Sequence, residues 1–166
     1  MRSRTSNWYE TKVKYQKMME DGSEKVVSER YVVDALSFTE AESAIIEEMS
    51  VYVSGELKVS NLGKASYNEI FFSDVDDDDK WYKAKLQFIT IDEKTEKEKR
   101  SNVTYLVQAK SLARALRYVD EVMGKTMIDY DVIGLNETKI FDVFEHHTPS
   151  EKNEEKDEQK EEQKEA

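Results

Sequence analysis

The sequence predicts an α+β fold in which a unit of strand, strand, helix and one or two further strands occurs twice. Segments 8–15 (WYETKVKY) and 81–88 (WYKAKLQF) share an aromatic pair, a lysine four residues after the tryptophan, and an alternating pattern. Segments 31–37 (YVVDALS) and 105–111 (YLVQAKS) also match, and each leads into a helical pattern. A single unit of about 70 residues would bury too small a share of its surface to be stable alone. We therefore predict two copies in a pseudo-two-fold arrangement.

The first copy is predicted to span residues 8–73. Apolar and polar side chains alternate in 8–15, as in a half-buried strand. An Asp-Gly pair then predicts a turn, and 25–35 returns as the second strand. Ser37 begins a capping-box pattern, after which apolar residues recur at helical spacing. Two shorter strands are predicted at 56–62 and 67–72.

The second copy is predicted to span residues 81–147. Its first strand starts at Trp81, and a charged loop, 92–100, connects it to a return strand at 102–109. Ser111 is the predicted N-cap of a helix that ends at a glycine, the residue type favoured just beyond a helix C-terminus. The closing strands are predicted at 130–135 and 139–144.

Three polar segments flank or separate the copies. Residues 1–7 are predicted to be a flexible N-terminus and 148–166 a disordered acidic tail, because the tail has almost nothing to bury. Residues 74–80 are predicted to be a linker, since five aspartates in six positions repel one another. This run lacks the glycine and distal glutamate of an EF-hand loop, so we do not interpret it as a calcium site.

Composition excludes several classes of protein. The 166 residues include no cysteine, which excludes disulfides, zinc–thiolate sites and thiol nucleophiles. No apolar run has the length of a membrane span, and we predict a cytoplasmic protein without membrane contact. The net charge of −11 argues against nucleic-acid binding by bulk positive charge, but it leaves room for a local basic patch.

Catalytic motifs are scarce. The only histidines are His146 and His147, next to the predicted tail. The sequence has no Gly-rich phosphate loop, no Gly-x-Ser-x-Gly elbow and no His-Glu-x-x-His motif. We predict a non-enzyme without metal or cofactor, with an unrecognised carboxylate site as the enzymatic alternative.

The predicted binding surface is the strand face opposite the apolar one. Its residues are Trp8, Lys12, Lys14, Trp81, Lys83 and Lys85. An aromatic ring beside ammonium groups offers a single-stranded nucleic acid both a stacking platform and phosphate neutralisation. The alternative for the two tryptophans is burial in the core. The leading hypothesis is thus an accessory, non-catalytic protein that binds single-stranded nucleic acid.

A second hypothesis uses the acidic surface. The first predicted helix exposes a row of glutamates, Glu40, Glu42, Glu47 and Glu48. A negative surface, or an open sheet edge, suits a protein-interaction or inhibitor module that binds a protein partner.

Three segments carry a family resemblance: 33–42 (VDALSFTEAE), 69–74 (EIFFSD) and 81–90 (WYKAKLQFIT). On these segments, the chain resembles a family of proteins from Bacteroidetes and their mobile elements that is known as domain of unknown function 4494. The resemblance extends from about residue 7 to residue 145. The resemblance implies a small intracellular bacterial or phage protein. It implies no activity and no site residues.

Overall fold

The computed structural model describes residues 1–146, which adopt an α+β fold. The strands in this part of the chain are β1 (Arg2–Arg4), β2 (Trp8–Met18), β3 (Glu24–Asp34), β4 (Leu57–Lys64), β5 (Glu69–Phe72), β6 (Lys80–Ile91), β7 (Glu98–Ala109), β8 (Asp129–Glu137) and β9 (Ile140–Phe144). The helices are α1 (Phe38–Met49) and α2 (Leu112–Gly124). The predicted fold class is confirmed.

The strands form two sheets, one in the order β4-β2-β3-β9 and the other in the order β1-β5-β7-β6-β8. Each sheet contains a hairpin, β2–β3 or β6–β7, that is followed in the chain by a helix. The next strand, β4 or β8, flanks the first strand of that hairpin. The strand after it joins the other sheet: β5 pairs in parallel with β7, and β9 lies beside β3. The two halves of the chain thus share one order of elements, while their origin by duplication stays a prediction.

The chain folds as two compact units that are not contiguous in sequence. Among the described residues, the α1 unit contains Tyr9–Gly63 and residues 143–146, and the α2 unit contains Met1–Trp8 and Lys64–Asp142. These units differ from the predicted copies at 8–73 and 81–147. The reason is strand pairing, because β5 and β9 pair with hairpins distant in the sequence.

Each helix packs on the apolar face of its hairpin. In the α1 unit the buried helix residues are Ala41, Ala44, Ile45 and Met49, and the strand residues in the same clusters are Tyr9, Val13, Tyr15, Tyr31 and Val33. In the α2 unit the corresponding sets are Ala115, Val119 and Met123, and Phe71, Tyr82, Ala84, Leu86, Tyr105, Val107 and Ala109. The strand face predicted to be apolar is therefore the core face in both units.

Both helices begin at a serine cap, as predicted. The Ser37 hydroxyl accepts a hydrogen bond from Glu40 N–H at 3.1 Å, and the Ser111 hydroxyl accepts one from Arg114 N–H at 3.2 Å. The Glu40 carboxylate also accepts from Leu36 N–H at 3.2 Å.

Replacing Ser111 with alanine is expected to lower the free energy of unfolding by about 1 kcal/mol, because one N–H group in the first turn loses its acceptor. Urea denaturation followed by circular dichroism measures this change. Ser43→Ala in the exposed middle of α1 is the matched control, and an equal loss in both variants would contradict the cap assignment.

The N-terminal segment differs from its prediction. Arg2–Arg4, within the segment expected to be flexible, form β1 and pair antiparallel with β5. The Arg2 guanidinium carbon lies 4.3 Å from the centre of the Phe72 ring, a cation–π distance. A three-residue strand carries no periodicity, which is why the sequence does not predict it.

No helix within residues 1–146 is both long and apolar enough to span a membrane. The predicted tail, 148–166, lies outside the described residues.

Candidate functional site

The two tryptophans of the predicted binding surface lie in the protein core. Trp8 is 1% exposed and Trp81 is 2% exposed. Trp81 meets the Phe72 ring edge to face at 5.6 Å, and the Arg4 guanidinium carbon lies 5.9 Å from the Trp8 ring. Neither ring has a face open to a base, so the predicted stacking platform is wrong and the core alternative is correct.

The lysines of β2 are on the outer side of their sheet, as predicted. Thr11, Val13 and Tyr15 are buried, and successive side chains of a strand point to opposite faces. Lys12 and Lys14 therefore face away from α1, with Lys12 half-buried and Lys14 exposed.

Two further cations share this face. Tyr31 on β3 is buried, so its neighbour Arg30 points outward. Leu57 on β4 is half-buried and packs against the core, so its neighbour Lys58 points outward as well. We call Lys12, Lys14, Arg30 and Lys58 the basic face of the α1 unit. Among residues 1–146, no carboxylate forms an ion pair with any of them.

The hairpin register places Lys12 opposite Arg30. Met19 N–H donates to the Ser23 carbonyl at 2.7 Å, which closes the hairpin. The Thr11 hydroxyl donates to the Tyr31 carbonyl at 3.2 Å, in agreement with the same register. Like charges directly opposite each other on a sheet are unfavourable, so a bound anion would relieve this repulsion.

A shallow depression of about 330 Å³ adjoins the basic face. Its lining residues are Lys14, Tyr15, Gln16, Val26, Gly55, Glu56 and Lys58. Tyr15 donates a hydrogen bond to the Glu29 carboxylate, and burial together with this bond raises the pKa of Tyr15 to about 12. The phenol is therefore neutral at physiological pH, and the cations at the depression are Lys14 and Lys58. Among residues 1–146, Glu56 is the one acidic residue that lines it.

The lysines of β6 have a different environment. Lys83 is half-buried and Lys85 is exposed, on the side of the α2 unit's sheet opposite its helix. The register shifts between Lys85 and Leu86, and a Cβ on Gly134 would lie only 3.8 Å from Lys85 Cβ. Lys85 pairs with Gly134, so it has no cross-strand side chain beside it on β8.

The remaining outward side chains near Lys85 are polar and partly paired. Arg100 donates to Asp131 at 2.7 Å, and Gln87 donates to Asn102 at 3.1 Å. Because Asp131 offsets Arg100, this surface has fewer unpaired cations than the basic face.

The aspartate run contains an anchor that the sequence does not reveal. Asp78 is 1% exposed, whereas the other four aspartates of the run are exposed. Its carboxylate accepts hydrogen bonds from Ser73 Oγ at 2.5 Å, Tyr118 OH at 2.5 Å and Lys110 N–H at 2.9 Å, and lies 3.5 Å from Arg114 Nη1. Burial alone would raise the pKa of Asp78, but the hydrogen bonds outweigh burial and lower that pKa. The carboxylate fixes the linker to the start of α2.

His146 lies next to α1. Its N–H donates to Asp34 Oδ1 at 2.5 Å, and its ring nitrogens lie 3.7 Å from carboxylate oxygens of Glu47 and Glu48. Within residues 1–146, no group of three or more metal-ligating side chains is arranged to hold an ion. His147 lies outside the described residues.

Residues 7–146 match the family described as a domain of unknown function, DUF4494. The match covers most of the chain, so the protein belongs to this family. No curated protein matches the chain.

Proposed function

We propose that this protein is a non-catalytic accessory protein, cytoplasmic and of bacterial or phage origin, that binds single-stranded nucleic acid through phosphate contacts on the basic face. The observation that carries the proposal is the placement of Lys12 opposite Arg30, without a carboxylate partner among the described residues. Lys14 and Lys58 extend this positive surface to the adjoining depression. Two carboxylates limit the positive region: Glu56 at the depression, and Glu10 on the same side of β2 as Lys12.

The shape of the face favours a single strand over a duplex. Duplex recognition commonly uses a helix or a β-ribbon that enters a groove. The basic face is the side of a sheet, and its cations project from three neighbouring strands, β4, β2 and β3. An extended backbone can cross such a surface while its bases stay in solvent.

Affinity in this arrangement comes from electrostatics, since the tryptophans are buried. Four phosphate contacts on a single strand give a slope of log K against log salt of about −3. Binding should therefore be weak at physiological salt and nearly independent of base sequence.

The double variant Lys12→Glu, Lys14→Glu is expected to reduce the affinity for a labelled oligonucleotide at low salt at least tenfold, roughly the effect of removing two phosphate contacts. Fluorescence anisotropy across a salt series measures both the affinity and the slope. The matched control is Lys97→Glu, Lys99→Glu, which changes the net charge equally at the exposed end of the β6–β7 hairpin.

An equal loss of affinity in both double variants would show that net charge, and not the basic face, controls binding. Absence of binding by the unmodified protein at low salt would overturn the proposed function. Lys83→Glu, Lys85→Glu tests whether the outer face of β6 also contributes, and we expect a smaller loss there.

A second candidate is a protein-interaction module. It is favoured by large apolar side chains that remain exposed just after α1, where Val51 is 81% exposed and Tyr52 is 73% exposed. The acidic side chains Glu42 and Glu47 on α1 are exposed as well. This candidate would be supported if the protein does not bind oligonucleotides and if Tyr52→Ala abolishes its binding to a protein partner.

A further inference from the structure

The acidic C-terminal segment starts within reach of the basic face. The residue that precedes it, His146, lies beside α1. Its N–H donates to Asp34, and its ring lies next to Glu47 and Glu48. Residues 147–166 contain eight acidic residues and four lysines. The segment therefore has a net charge opposite in sign to that of the basic face.

Distance permits the contact. β9 leads into the segment and lies at the edge of the sheet whose other edge is β4. Three strand spacings of about 4.8 Å separate these edges, roughly 14 Å in all. Twenty extended residues span at most about 66–72 Å, so the segment can pass around β9 and reach Lys12, Lys14 and Lys58, beyond the part of the outer face where Trp8 and Val32 are buried.

Electrostatics favour this path over the helix side of the unit. Beside His146, α1 presents Glu47 and Glu48, which repel an acidic segment. On the other side of the sheet, Lys12, Lys14, Arg30 and Lys58 have no carboxylate partner among the described residues. A tethered segment also acts at an effective concentration in the millimolar range, which compensates for weak individual contacts.

We propose that residues 147–166 dock on the basic face of the same chain and compete there with nucleic acid. The competition rests on the proposed function, whereas the docking is measurable without any nucleic acid. A segment docked for nine-tenths of the time raises the apparent Kd of a competing anion about tenfold. Salt weakens both contacts, because both are attractions between opposite charges.

Lysine acylation followed by mass spectrometry tests the docking in the full-length protein. In one variant the six glutamates from Glu154 to Glu165 are changed to glutamine. In the opposite variant the four lysines of the segment are changed to glutamine. The six glutamates are Glu154, Glu155, Glu158, Glu161, Glu162 and Glu165, and the four lysines are Lys152, Lys156, Lys160 and Lys164.

The acylation rates of Lys12, Lys14 and Lys58 are expected to rise severalfold in the first variant and to fall in the second. High salt should abolish these differences. Lys97 and Lys99 are the internal controls, and their rates should not change. Unchanged rates at the basic face, or protection that grows with protein concentration and so indicates a second copy, would overturn the intramolecular docking.

An oligonucleotide titration of the same variants separates the two proposals. Tighter binding by the glutamine-for-glutamate variant, by about tenfold at low salt, would support the competition. Changed acylation rates with no oligonucleotide binding in any variant would support the docking and overturn the proposed function. Oligonucleotide binding that is the same in all variants, with unchanged acylation rates, would overturn the docking alone.

Discussion

Replacing Asp78 with alanine is expected to lower the free energy of unfolding by about 3–5 kcal/mol. The change deletes the common acceptor of the Ser73 and Tyr118 hydroxyls and of the Lys110 N–H group. It also leaves Arg114, whose side chain is 24% exposed, without its anion. Thermal and urea denaturation measure the loss.

Asp77→Ala is the matched control for this prediction, since Asp77 is the adjacent aspartate and is exposed. Its effect should stay within about 0.5 kcal/mol. A destabilisation of similar size in both variants would indicate that the whole aspartate run, and not the buried carboxylate, supports the linker.

The contribution of Asp78 should depend on pH. Its pKa is lower in the folded chain than its ordinary value, because hydrogen bonds to the carboxylate outweigh burial. The stabilisation is therefore complete above the pKa of the unfolded chain and disappears as pH falls through the folded pKa. Asp78→Asn should accordingly differ most from the unmodified protein near neutral pH and least in acid.

Replacing Trp81 with alanine is expected to cost about 3–5 kcal/mol, the usual range for removal of a large buried aromatic side chain. The ring is 2% exposed and packs against Phe72. Urea denaturation measures the loss, and Tyr52→Ala is the control because that aromatic side chain is 73% exposed.

Fluorescence gives an independent measurement of the same burial. Both tryptophans should emit at short wavelength and resist quenching by acrylamide in the folded protein. Red-shifted, quenchable emission would contradict the buried positions and would restore the stacking hypothesis.

Hydrophobic periodicity and capping patterns predict most of the secondary structure correctly. Alternation identifies the core faces of β2 and β6 because each sheet has one face against a helix. Ser37 and Ser111 identify the helix starts, since few other patterns supply an acceptor to the first turn. Both signals come from residues that are close together in the sequence, and they are sufficient to predict the strands and helices concerned.

Long-range pairing and burial at strand ends are much harder to predict. Trp8 and Trp81 lie near the starts of their strands on the outer face, where alternation predicts exposure, yet both are buried. Asp78 is indistinguishable in sequence from its neighbours, because its partners come from distant residues such as Tyr118.

The candidate site also contains both kinds of residue, those predicted by local patterns and those that depend on long-range strand pairing. Lys12 and Lys14 are predicted correctly as outward side chains, because their orientation depends only on strand alternation. Arg30 and Lys58 are missed, because a cluster across strands depends on register and strand order. The hairpin turn alone does not reveal Arg30, because a two-residue Asp-Gly turn would pair Glu20 with Ser23 and set Tyr31 opposite Lys12. The observed Met19–Ser23 bond shifts the register by one residue and sets Arg30 there.

The late position of β9 has a consequence for synthesis of the protein on the ribosome. β9 ends at Phe144, yet it belongs to the sheet that contains β2 and β3, from the start of the chain. The edge of β3 thus remains open while more than a hundred residues are added, and unpaired edges invite association with other chains. The α1 unit can complete its sheet only after β9 has been translated, so the β3 edge needs protection throughout that interval.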